Sequence, residues 1–152
     1  MSTLPEAEFV IFDVETTGLS PGYGDRIIEI AAIRVKGFQV LQEFHSFVDP
    51  QRELFWGAFQ VNGINRRMLW GAPKAKEILP LFLDFLQVGF LVGHHVAFDL
   101  GFLHHEFSLA GLNFRKEMKA LCTVKMAKAL VPGLRRYSLW SVARCLGVES
   151  CQ

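Results

Sequence analysis

Asp13 and Glu15 stand two residues apart in Phe9-Val-Ile-Phe-Asp-Val-Glu15, the most apolar stretch of the chain. In an extended strand, residues i and i+2 share a face and lie about 6.6 Å apart at ~3.3 Å rise per residue. Two like charges held together where the dielectric is low are costly unless a cation offsets them. A hard divalent ion with oxygen ligands, Mg²⁺ or Mn²⁺, is the natural partner. The plainer alternative places both carboxylates in water at a strand end, the ordinary fate of an Asp-x-Glu. Asp99 adds a third acid, in Gly93-His-His-Val-Ala-Phe-Asp99, where a short apolar strand gives way to a helix. It could serve only as a helix N-terminal charge, worth ~0.3–1 kcal/mol. It could also reach the face that carries Asp13 and Glu15. Three carboxylates converging on one site suit phosphoryl transfer by two metal ions about 3.5–4 Å apart. Spacing alone leaves that convergence open.

The elements that must position these acids are legible from hydrophobic pattern. Glu8 to Glu15 reads as a strand buried on both faces, because its apolar run is almost unbroken. Thr16-Thr-Gly18 and Pro21-Gly22 break it. Arg26 to Lys36 and Phe38 to Val48 read as two further strands, the last with Phe38, Val40, Phe44 and Val48 on one parity. The short Gly37 connection implies an antiparallel meander. Asp49-Pro50 opens an irregular stretch. A helix then starts near Ala75, with Ile78, Leu81, Phe82, Phe85 and Leu86 on its apolar face and Pro80 tolerable only in its first turns. Phe90–Gly93 reads as a short buried strand, Val96–Ala110 as a helix stopped by Gly111, and Thr123–Leu130 as another helix. Ser138 caps a last helix that closes at Gly147. The expectation is a single α/β domain with a mixed sheet.

Composition bounds the function class. With 152 residues of which 51% are hydrophobic, the chain can build one real core and not two. A charged fraction of 20% and a mean hydropathy of +0.25 exclude intrinsic disorder. No apolar run nears the ~18 residues of a membrane-spanning helix, and no secretory signal is visible at Met1–Glu6. Cys122, Cys145 and Cys151 lack metal-ligand spacing and read as reduced thiols of a cytoplasmic protein, Cys122 and Cys145 packed as small hydrophobes. Net charge is +1, yet eight of sixteen Lys/Arg fall between Leu112 and Val148 against one acid, Glu117. That face could meet phosphates, or simply be a solvated helix surface. Trp56, Trp70 and Trp140 read as loop or core packing before base-stacking platforms.

The residues from Phe9 to Leu19, continued by Gly24-Asp-Arg-Ile-Ile-Glu-Ile-Ala31, resemble the first motif of the DEDDh (DnaQ-like) 3′–5′ exonucleases. Val92-Gly-His-His-Val-Ala-Phe-Asp99 resembles the second. The segments Val48-Asp-Pro50, Val61-Asn-Gly-Ile64 with Met68 and Ala72-Pro73, Leu130–Leu134, Tyr137-Ser-Leu139 and Cys145–Val148 follow the family's connecting pattern. The resemblance implies an RNase H-like fold and hydrolysis from a single-stranded or frayed nucleic-acid 3′ end, releasing nucleoside 5′-monophosphates. It implies Asp13, Glu15 and Asp99 as three of four metal-binding acids around two Mg²⁺ or Mn²⁺ ions. It implies Thr16 as a contact to the terminal nucleotide and Leu19 as packing against the terminal base. Asn62 stands where many relatives have a His near the nucleotide, and His95 where they usually have Asn.

The third family motif, a His followed five residues later by an Asp, is absent: no Asp follows Asp99 and no His follows His105. The His is the family's general base, and such a loss slows a reaction by about 10²–10⁴-fold. The 152-residue chain is therefore expected to be a poor nuclease, lacking also the C-terminal helix that would cover part of the sheet. Uncovered apolar surface and self-association follow from that. His95 reads as a hydrogen-bonded loop residue before a substitute base, His104 and His105 as surface, and His45 as an exposed strand residue. Three functions compete: the exonuclease, a degenerate module that binds a 3′ end or metal, and a subunit retained for contact with a polymerase.

Overall fold

β1 (Glu8–Thr16) lies at the centre of a five-stranded sheet of order β3-β2-β1-β4-β5. The computed structural model describes residues 6–54, 56–86, 90–114 and 118–148. β2 (Ile27–Lys36) and β3 (Gln39–Phe47) complete the antiparallel meander, and Lys36 faces Gln39 across the turn that contains Gly37 at φ +57°. β4 (Phe90–Gly93) lies parallel to β1, and β5 (Ala120–Cys122) parallel to β4. The helices are α1 (Trp56–Asn62), α2 (Ala75–Phe85), α3 (Ala97–Leu109), α4 (Thr123–Leu130) and α5 (Leu139–Cys145). This is the expected mixed α/β sheet, with α1 and β5 added where the pattern gave no separate element.

The core lies on one side of the sheet. Val10, Phe12 and Val14 of β1 meet Leu79 and Phe82 of α2 and Phe102, Leu103 and Phe107 of α3. The opposite face of β1 carries Ile11, Asp13 and Glu15, and Ile11 keeps 40% of its surface exposed. β1 is thus covered on one face, not two. Its dense apolar run misleads because Ile11 belongs to an open patch with Ala31, Ile33, Val92 and Leu139, which lines an apolar cavity of about 330 Å³ beside Asp13. β4 is likewise half-covered: Leu91 is buried while Phe90 and Val92 are only partly so.

Smaller corrections have similar causes. Phe38 and Val40 are exposed, because β3 is the edge strand and both of its faces are open from Gln39 to Glu43. Leu81 points to solvent on α2, and Leu79 takes the buried place beside Ile78 and Phe82. Pro80 is the sixth helical residue, and it and Lys76, whose carbonyl lacks its usual donor there, are both exposed, so water can serve the carbonyl. Cys145 is exposed, whereas Cys122 packs on the core. Trp70 and Trp140 are exposed rather than packed, and the side chain of Trp56 lies outside the described residues. No helix is long and apolar enough to cross a membrane, among the described residues.

Candidate active site at the end of the central strand

β4 pairs with β1 only through Phe9, Val10 and Ile11. Beyond that point the two parallel strands separate, and such a crevice at their carboxyl ends is where open α/β sheets bind ligands. Asp99, in the first turn of α3, fills it. Its Oδ1 accepts the Val14 amide at 3.1 Å, between the residues that bear the other two acids. Only 3% of Asp99 is exposed. Burial, opposed by the Val14 hydrogen bond and reinforced by Asp13 and Glu15, lifts its carboxyl to about 6. Asp13 is raised by burial and by Glu29, with His94 pulling the other way. Glu15 is raised by burial, Asp13 and Glu29.

The three acids therefore share one electrostatic field. Their oxygen donors suit a hard dication, which takes one or two carboxylates and fills its shell with water and substrate phosphate. Among the described residues, no three His, Cys, Asp or Glu side chains are grouped closely enough to hold an ion by themselves. The donor chemistry fits, with phosphate or water needed to complete any shell.

Glu29 is a fourth acid of this field that the sequence reading passed over. It stands opposite Glu15 across the β1–β2 ladder, and its Oε1 lies 2.7 Å from His45 Nε2. The antiparallel register of the meander was the signal that could have found it. The next pair, Thr16 with Ile27, follows a bulge that leaves Ile28 unmatched. Ile28 instead nucleates a second small core with Ile64 and Leu69.

The segment after β1 is a closed loop. Thr17 and Arg26 bond across its base, through Thr17 N to Arg26 O at 2.9 Å and Arg26 N to Thr17 Oγ1 at 3.0 Å. Asp25 fills the interior, accepting from Thr17 Oγ1 at 3.2 Å and Ser20 N at 3.1 Å, while Arg52 donates to Asp25 and to the Gly24 carbonyl. A Cβ at Gly18 would overlap the Asp25 carboxylate, so only glycine permits this closure. Thr16 is buried and its hydroxyl donates to Gly18 O at 2.6 Å. Asn62 donates to Thr16 O at 3.2 Å and accepts from Ile64 N at 3.0 Å. Leu19, by contrast, is 85% exposed at the loop tip. Of the four residues expected to contact substrate, Leu19 and His95 present exposed surface, whereas the polar groups of Thr16 and Asn62 serve the scaffold.

Both ring nitrogens of His94 are engaged, by Thr123 Oγ1 and by the Tyr137 carbonyl, each at 2.9 Å. His95 is exposed and its ring meets His94 edge-on at 5.3 Å. Its backbone adopts φ +64°, a left-handed conformation that costs a residue with a Cβ about 1 kcal/mol and that Asn tolerates better. His95→Asn is expected to stabilise the fold by about 0.5–1 kcal/mol, measured by urea unfolding. An unchanged midpoint would mean that the turn relaxes around histidine. His104 packs edge-on against Phe114 at 4.7 Å, away from the acids.

The exonuclease family model matches residues 10–152. The PolC-type DNA polymerase III of Thermotoga maritima is 39% identical over 148 residues, covering 97% of this chain and 10% of the relative. That of Bacillus cereus is 36% identical over 149 residues, covering 98% of the chain and again 10% of the relative. The chain thus spans about a tenth of the length of these curated relatives. Among solved structures, exonuclease I without ligand superposes with a TM-score of 0.81 at 19% identity, over 95% of this chain and 38% of that one. Exonuclease X in complex with 5′ overhanging duplex DNA gives 0.73 at 23% identity, over 93% and 75%. At these identities the two structures speak to the fold.

Proposed function

The chain belongs to the exonuclease family, a family of hydrolytic nucleases, and from that premise we propose that it is a metal-dependent 3′–5′ exonuclease acting on single-stranded or frayed DNA ends. One observation carries this reading: Asp99 is wedged against the backbone between Asp13 and Glu15, and burial together with those two acids raises its proton affinity. Natural folds avoid such crowding unless a cation relieves it. Asp13, Glu15 and Asp99 would hold divalent ions, Mg²⁺ or Mn²⁺. When bound, these ions supply charge for the phosphate and acidify a water. Leu19 would rest against the terminal base. His94, with both nitrogens taken, is fixed in place, while His95 on the same turn is exposed. The setting we infer is proofreading beside a polymerase in the cytoplasm; that the relatives are PolC-type DNA polymerase III supports only the polymerase association.

A second reading, a module that grips a 3′ end with little cleavage, draws on the lack of a three-residue metal cluster among the described residues. Incubating the chain and Asp13→Asn with a 5′-labelled DNA oligonucleotide and Mn²⁺ separates the two. A ladder shortening from the 3′ end, weakened at least about 10²-fold in the variant, is expected of the exonuclease. Oligonucleotide binding without a ladder would favour the module.

A further inference from the structure

Glu106 is the most deeply buried charged side chain among the described residues, 1% exposed. It lies seven residues beyond Asp99 on α3, two helical turns and about 10.5 Å along the same face. Its carboxylate takes a two-pronged bond from Arg26, Nε at 2.7 Å and Nη2 at 2.8 Å, and accepts the Ile27 amide at 3.2 Å beside the bulge. Arg26 is also the residue that closes the base of the Thr17–Asp25 loop. A third bond, from Arg26 Nη1 to Pro50 O at 3.4 Å, ties in the segment after β3.

We propose that the Arg26–Glu106 pair is a positioning clamp, which fixes the loop bearing Leu19 to the helix bearing Asp99 so that the two stay in register. The inference rests on the exonuclease reading for its purpose, while its geometry stands without it. The contacts of Phe102, Leu103 and Phe107 hold α3 to the sheet, but apolar packing has no direction. The buried stripe sets which face of α3 meets the sheet, and among the described residues two polar anchors refine its rotation, Asp99 on Val14 and Glu106 on Arg26 and Ile27. A planar guanidinium fork on a carboxylate fixes angle as well as distance, which a lysine cannot do. A buried pair of this kind is seldom needed for stability, since well-packed apolar replacements do as well. Its role is therefore assigned to geometry.

The test uses Arg26→Lys and the double variant Arg26→Met with Glu106→Gln, which keeps an acceptor for Ile27. Three quantities are read: the melting temperature, hydrogen exchange of the Val14 and Val10 amides by NMR, and Mn²⁺ affinity by titration. The clamp is expected to show as Val14 exchange faster by about tenfold or more with Val10 unchanged, and Mn²⁺ binding weaker by about 10-fold. Melting temperatures should stay close to the parent. Arg26→Lys decides the matter alone if the double variant does not fold. Val14 protection unchanged in the folded variants would overturn the clamp and leave an ordinary ion pair. Absence of Mn²⁺ binding in the parent chain would sink the exonuclease reading, and the Val14 exchange would still judge the clamp.

Discussion

Asp99→Asn is expected to stabilise the metal-free protein at neutral pH while lowering nuclease activity by at least about 10²-fold. The carboxyl of Asp99 is held at about 6 in the fold, against an ordinary 3.8. A raised acid favours the protonated form in the folded state, so its contribution is intact below pH 4 and declines as pH climbs toward 6. At ~1.4 kcal/mol per pH unit, ionising it costs the fold about 3 kcal/mol by pH 7. Asparagine cannot ionise, yet its amide oxygen still accepts from Val14, so about 1–3 kcal/mol is recovered. Urea unfolding in EDTA at pH 5 and pH 7.5 checks this. The variant should gain over the parent mainly at the higher pH. With excess Mn²⁺ the order should reverse, since a ligand at 100 times its Kd stabilises the parent by ~2.7 kcal/mol. A variant less stable than the parent at pH 7.5 in EDTA would show that burial is not what lifts Asp99.

Glu106→Ala is expected to cost about 3 kcal/mol, the lower end of the range for breaking a buried pair. Three donors converge on this carboxylate: Arg26 Nε, Arg26 Nη2 and the Ile27 amide. Removing it strands all three, but the Arg26 side chain keeps 19% exposure and its bond to Pro50, which moderates the loss. The double variant that keeps an acceptor and removes the cation should lose far less, and urea midpoints of the two decide it. If both fall equally, the loss comes from what they share, the missing Glu106 carboxylate, and not from a stranded Arg26 charge.

Much of this molecule was legible in the residues themselves. Dense apolar runs placed β1 and β2, helical spacing placed α2, and Thr123–Leu130 marked α4 to the residue, because each stretch is apolar and clearly punctuated. Asp13 and Glu15 drew notice as acids in an apolar strand, whereas Asp99 joined them only through the family resemblance. What failed was whatever depends on which neighbour arrives. The sequence does not say whether an apolar strand has one cover or two, so Ile11 was misjudged. Nor does it mark β3 as the edge strand, which leaves Phe38 and Val40 exposed. Glu106 carried a signal of its own, since Asp99, Phe102, Leu103, Glu106 and Phe107 form one buried helical stripe with two acids in it. Its partner Arg26 is 80 residues away, and only closure of the chain brings them together. The sequence by itself determined β1 to β4 and the longer helices and singled out Asp13, Glu15 and Asp99 as candidates, because those depend on local spacing and residue type. Tertiary structure decided the single open face, the seat of Asp99 on Val14 and the grip of Arg26 on Glu106, because each requires two distant segments to meet.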